Sequence, residues 1–144
     1  MDTNRATRYL SEGYTCAESV LRAVSDEYGI EMDHPHVAMG VGGGMGFMGE
    51  VCGAMTGAIM AIGLVKGPAA NPQEMQQTMP LIQELRRRFE TEMKSIKCRD
   101  LTGMDLTKPG GLEELIQSGI SDKVCVRAVD TAYQIVMDVL KTAE

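Results

Sequence analysis

The chain has no tryptophan, and its other aromatic residues are four tyrosines and two phenylalanines among 144 residues. Its one basic run is Arg86-Arg87-Arg88, in a chain of formal net charge −6. A nucleic-acid surface needs a basic stripe or stacking aromatics, so no nucleic-acid partner is expected. Long hydrophobic runs are missing too. The longest uncharged one, Val51 to Val65, is too short to span a bilayer. The opening "MDTNRATRYL" is polar and has no apolar stretch of the kind that begins a secretory signal. The expected setting is therefore cytoplasmic and reducing, where thiols stay unpaired. Histidine is limited to His34 and His36, which flank Pro35 in a loop and read as solvated rather than as a metal site. Spacing nominates no Ser/His/Asp triad and no carboxylate pair.

The four cysteines, Cys16, Cys52, Cys98 and Cys125, are far apart in sequence. That excludes a CxxC redox motif, a zinc-finger or zinc-ribbon spacing, and covalent haem attachment. If the thiols act together, the fold must gather them.

Hydrophobic periodicity is helical nearly throughout, and no segment alternates with period two. Residues 3–12 predict a short helix ended by Gly13. Thr15 and Glu18 form a capping box for a helix whose face carries Cys16, Val20, Val24 and Tyr28, with Gly29 as its stop. A short helix is expected around 35–41. Residues 50–66 predict the most apolar and most central helix, with Gly53, Gly57 and Ala61 at a spacing that admits a closely packed neighbour. A second copy could supply that neighbour, so a homodimer is a further expectation. Asn71, Pro72 and Glu74 begin a long helix with the stripe Met75, Met79, Ile82, Leu85, Phe89, Met93, Ile96, and Pro80 predicts a kink or restart. "DLTGMDLTKPGG" reads as a loop, "GLEELIQSG" as a short helix, and Asp122 to Leu140 as the last helix, with Val124, Ala128, Ala132, Ile135 and Val139 inward. The expected fold is an all-α, single-domain bundle of five to six helices over residues 1–144.

Glycine is abundant, and it is concentrated around one thiol. "GGGMGFMGEVCGAMTG" places Gly42, Gly43, Gly44, Gly46, Gly49, Gly53 and Gly57 about Cys52. A glycine loop at a helix start can cradle a phosphate, but no strand precedes it, no Lys-Ser/Thr follows, and no βαβ unit is present. Two readings stay open. Bare backbone lets a helix, or a bulky inorganic group held by thiolates, sit against Cys52, with Gly53 and Gly57 giving the close approach; or the segment is a tight turn between packed helices. Cys16, Cys52 and Cys125 fall near helix starts, where partial positive charge favours a thiolate. Cys98 falls at the end of the long helix beside Lys97 and Arg99, and Lys123 and Arg127 flank Cys125. At least one unusually acidic thiol is expected, with Cys52 and Cys98 the first candidates. Against this stands simple packing, since cysteine is among the most buried residues.

Cys52-Gly53-Ala54-Met55-Thr56-Gly57 reads CGAxxG, with one cysteine upstream and two downstream. Over roughly residues 11 to 140 the chain resembles the redox-active family labelled C_GCAxxG_C_C. The resemblance implies a small helical protein defined by its four cysteines, with a redox role and no known substrate. A distant similarity to split-Soret cytochromes, which carry haem and an iron–sulfur centre, carries over only the idea of a cluster. Three functions follow as expectations. The first is redox chemistry at the four cysteines with an unidentified redox partner, as thiol–disulfide exchange or electron transfer. The second is binding of zinc or an iron–sulfur cluster by the same four. The third is a non-enzymatic helical module in which the cysteines only pack.

Overall fold

The computed structural model describes residues 4–144. It is all-α, with eight α-helices: α1 (Arg5–Ser11), α2 (Cys16–Glu27), α3 (Gly42–Met45), α4 (Gly53–Lys66), α5 (Pro72–Met93), α6 (Cys98–Thr102), α7 (Gly111–Gln117) and α8 (Val126–Thr142). A 3₁₀ segment (Pro35–Val41) precedes α3, and a π turn (Ser121–Cys125) leads into α8. The count exceeds the expected five to six because α3 and α6 are four and five residues long, too short to show a helical period. No helix among the described residues is long and apolar enough to cross a membrane.

Capping fixes the helix starts. Both halves of the Thr15/Glu18 box are made, and Gly29 takes the left-handed conformation that ends α2. Asn4 caps α1, and its side-chain amide also donates to Asp130 on α8 (2.5 Å), which accepts from Gln134 as well (2.9 Å). Asp130 is buried, and these bonds tie the first helix to the last. Asp130→Ala is expected to cost about 1–2 kcal/mol through the orphaned amides. The checks are a lower urea midpoint and faster amide exchange in α1; unchanged protection of α1 would show that the tie contributes nothing. Residue 3, placed in this helix by its periodicity, lies outside the described residues.

The core lies between α1, α2, α4, α5 and α8. Val20, Val24, Ala58, Ile62, Phe89, Val129 and Val136 have no accessible surface. Val124 is half-buried, while Ala128, Ala132, Ile135 and Val139 are buried as the spacing indicated. The small-residue face of α4 is filled by α2 of the same chain: a Cβ on Gly57 would stand 2.3 Å from the Ala17 carbonyl oxygen.

Four expectations about α5 and its surroundings are corrected. The helix runs unbroken from Pro72 to Met93 with Pro80 inside it, so there is no restart. Pro80 and Gln76, whose carbonyl loses its partner, are both exposed, and water can satisfy that carbonyl. Met75 and Met79 are 53% and 43% exposed, because 22 residues make a rod of ~33 Å that outruns α4 and α8. The helix ends at Lys94, and Cys98 begins α6 rather than ending α5. Residues 50–52 are likewise not helical. They run alongside 96–98 in a short antiparallel bridge centred on Val51 and Lys97.

Candidate functional site

That bridge explains how two thiols meet. Cys52 N–H donates to the Ile96 carbonyl (2.6 Å) and Cys98 N–H to the Glu50 carbonyl (2.7 Å). Side chains alternate across an extended pair, so Cys52 and Cys98 project to the face opposite Val51 and Lys97. Each then opens a helix, Cys52 as the N-cap of α4 and Cys98 as the first residue of α6. Cys16 opens α2, and Cys125 closes the π turn into α8.

All four cysteines line one cavity of about 470 Å³. It lies at a seam. Cys16 and Cys52 belong to the main core, whereas Cys98 and Cys125 belong to a smaller cluster with Leu106 and Leu115. All four thiols are free. Cys52 and Cys98 are buried, and Cys16 and Cys125 keep part of their surface accessible.

The glycines act at this site through contact and through conformation. A Cβ on Gly53 would stand 2.4 Å from Cys16 Sγ, so the bare helix face of α4 is the bed of that sulfur. Gly53 therefore approaches Cys16, and Gly57 approaches the backbone of α2 one turn further on. Upstream, Gly43, Gly44, Met45, Gly46 and Phe47 all have positive φ, between 65° and 77°, a short left-handed run. Only glycine adopts it freely; Met45 and Phe47 pay roughly 1–2 kcal/mol each. The run folds the chain back so that the Gly43 backbone reaches Cys16 Sγ.

No thiol is acidified, contrary to the helix-start expectation. Burial pushes the Cys16 thiol up, opposed by hydrogen bonds from the backbone of Gly43, Ala17, Cys16 and Gly53. Burial holds Cys52 well above the usual thiol range, followed by the negative charge of Cys16, and further by Cys98 and Cys125. Cys98 is pushed up to about 11 by burial and by Cys16, with the Thr102 hydroxyl opposing. Cys125 is pushed up to about 12 by burial, Cys16 and Cys98, with the Ser121 hydroxyl opposing. Desolvation outweighs the field of the helix ends.

The basic neighbours are engaged elsewhere. The Arg99 guanidinium donates to the carbonyls of Met48 (2.9 Å) and Gly49 (3.2 Å) and pairs with Glu50 (3.0 Å). It clamps the glycine loop onto α6. Arg127 pairs with Glu92 (3.6 Å), and Lys97 is exposed on the far face of the bridge. Arg86, Arg87 and Arg88 form exposed ion pairs with Glu90, Glu84 and Asp138. His34 and His36 are exposed and face each other at 6.1 Å between ring centroids.

Sequence reasoning did not nominate Thr102 or Ser121, and it read Arg99 only as a basic neighbour favouring a thiolate at Cys98. The first two had a signal, since each hydroxyl is four residues from its cysteine on a helical turn. The clamp that Arg99 makes on the glycine loop had no signal, because its partners lie about 50 residues away.

Around a single zinc ion, four thiolate sulfurs at 2.3 Å would stand about 3.8 Å apart. Among the described residues, no three His, Cys, Asp or Glu side chains are grouped closely enough to hold one ion.

Comparison with curated proteins and with solved structures finds no match. A family model described as "Putative redox-active protein (C_GCAxxG_C_C)" matches residues 14–139, a span that contains all four cysteines and every helix start that carries one. The chain belongs to the C_GCAxxG_C_C family.

Proposed function

We propose that Cys16, Cys52, Cys98 and Cys125 hold a polynuclear iron–sulfur cluster and that the protein carries single electrons. The observation behind this is that four unpaired cysteines from four separate parts of the chain line one cavity of about 470 Å³. When bound, such a group accepts and releases one electron. The chain's own residues are suited to it. Four thiols that resist ionisation together need a cationic centre to become thiolates, and iron supplies that charge. The backbone N–H groups around Cys16 and the Ser121 hydroxyl beside Cys125 favour the charged sulfur, and with it the more negative reduced state, while the Thr102 hydroxyl donates to the Cys98 carbonyl (2.8 Å). The apolar walls limit solvent. A reducing compartment such as the cytoplasm suits thiols that are free.

The expected result is a brown protein after purification without oxygen, with stoichiometric iron and acid-labile sulfide. Cys52→Ser is expected to lose most of both while keeping its helical circular dichroism. A colourless chain that takes up neither iron nor sulfide on anaerobic reconstitution would end this reading.

One contact favours a second reading, a Cys16/Cys52 dithiol. Cys16 Sγ rests on Gly53, the residue next to Cys52. Oxidation would join the two sulfurs and release two protons and two electrons to an acceptor. Peptide mapping under mild oxidant separates the two readings, since only this one yields a Cys16–Cys52 crosslinked peptide as the working oxidised form.

A further inference from the structure

The cavity has more wall than its cysteines occupy, and the rest is mostly apolar, with the hydroxyls of Ser11, Tyr14, Thr15, Thr102 and Ser121 among it. Leu10 comes from α1, Leu106 from the loop before α7, and Leu112, Leu115 and Ile116 from α7 itself. Leu106 and Leu115 are buried, whereas Leu112 and Ile116 are 39% and 58% exposed although they line the cavity. They therefore stand at its mouth, four residues apart on one face of α7. Among the described residues the one charged side chain in the lining is that of Asp122, on an exposed residue. No basic residue among those described lines the space to neutralise an anion.

We infer that the α7 side of the cavity is a binding site for a small, uncharged apolar molecule, seated between Leu10, Leu106 and α7 with the cysteine sulfurs as its floor. The volume falls within the range of small-molecule pockets, about 300–1,000 Å³. An apolar occupant gains by leaving water here, and it leaves no buried polar group unpaired. Asp122 at the rim disfavours carboxylates and phosphates by charge. The site places its occupant against the sulfurs, where a redox protein would need its reactant. The inference depends on the lining and holds whether the sulfurs carry a cluster or are free.

The test uses the protein as isolated without oxygen and the uncharged fluorescent probe N-phenylnaphthylamine. The expected result is saturable binding of one probe per chain, and in samples that hold no iron the bound probe also slows alkylation of Cys98 and Cys125 by iodoacetamide. The double variant Leu112→Arg/Ile116→Arg changes two exposed residues, so the fold should survive. It should weaken probe binding by about tenfold or more. The double variant Met75→Arg/Met79→Arg removes an exposed apolar patch elsewhere and should bind the probe as the parent does. Equal loss in both double variants, or no saturable binding, would overturn the inference. Binding that appears only after iron is stripped would also overturn it, because the space would then belong to the cluster alone. Iron and sulfide content is read on the same samples, so a chain without a cluster that still binds the probe at α7 refutes the proposed function and keeps this site.

Discussion

Gly57→Val should cost the fold itself, with a loss of about 3 kcal/mol or more and a fall in melting temperature of roughly 10 °C. The new Cβ would stand 2.3 Å from the Ala17 carbonyl oxygen, 2.9 Å from its Cα and 3.0 Å from its carbonyl carbon. All three are main-chain atoms inside α2, which is fixed at its start by the Thr15/Glu18 box and buried along Ala17, Val20, Leu21 and Val24. They cannot rotate away, so α2 and α4 must separate. Gly53→Ala meets a different obstacle, Cys16 Sγ at 2.4 Å, and a sulfur at the end of a side chain can swing aside. Helix propensity even favours the alanine by about 0.5–1 kcal/mol. The expected outcome is a folded Gly53→Ala protein whose iron retention, or Cys16–Cys52 crosslinking, is lost, beside a Gly57→Val protein that melts early. Thermal melts followed by circular dichroism, with iron content on the same samples, separate the two. If Gly57→Val melts like the parent, the close approach of α2 and α4 is not what the glycine is for.

The two glycines look alike in the sequence, spaced as one face of one helix, and the readable inference was that something approaches closely. What approaches was not readable, because Ala17 and Cys16 are about 40 residues away and nothing local encodes their position. Two helix starts were legible from their caps, since Asn71, Thr15 and Glu18 cap as their types require, whereas the Asn4 cap of α1 was not read. The start of α4 was misplaced by three residues because Glu50, Val51 and Cys52 are extended only through their pairing with 96–98, a long-range contact. The same pairing moved Cys98 from the end of one helix to the start of another. The grouping of the cysteines was legible as a requirement of any shared chemistry. Their ionisation was misjudged, because helix position is local while desolvation and mutual repulsion depend on how completely the fold gathers them.

Raising the pH should unfold the reduced, metal-free chain well before an ordinary helical protein of this size would lose stability. Cys98 and Cys125 move from the usual 9.0 to about 11 and about 12 in the fold, with burial as the first cause of each. Cys16 and Cys52 are raised as well. A raised pKa means that the folded chain holds protons the unfolded chain has begun to release. The stability linked to these thiols is therefore complete below about pH 8.5, where both states are protonated. It falls as pH climbs through that value and goes on falling until the folded thiols ionise, near 11 for Cys98 and near 12 for Cys125. Each thiol neutral in the fold and ionised in the unfolded chain removes about 1.4 kcal/mol per pH unit. Cys125 is partly accessible, so solvent screens its share and the buried Cys98 carries the firmer part of the slope. Urea midpoints of the reduced apoprotein at about pH 8, 9 and 10 should drop steeply. The variant with all four cysteines changed to serine should hold its midpoint over the same range. Loading with iron and sulfide should flatten the parent's profile too, because thiolates bound to a cation have no proton left to lose. A parent midpoint as flat as that of the serine variant would mean that the thiols are more hydrated than their enclosure between the two apolar clusters implies, and the low-dielectric picture of the cavity would fail with it.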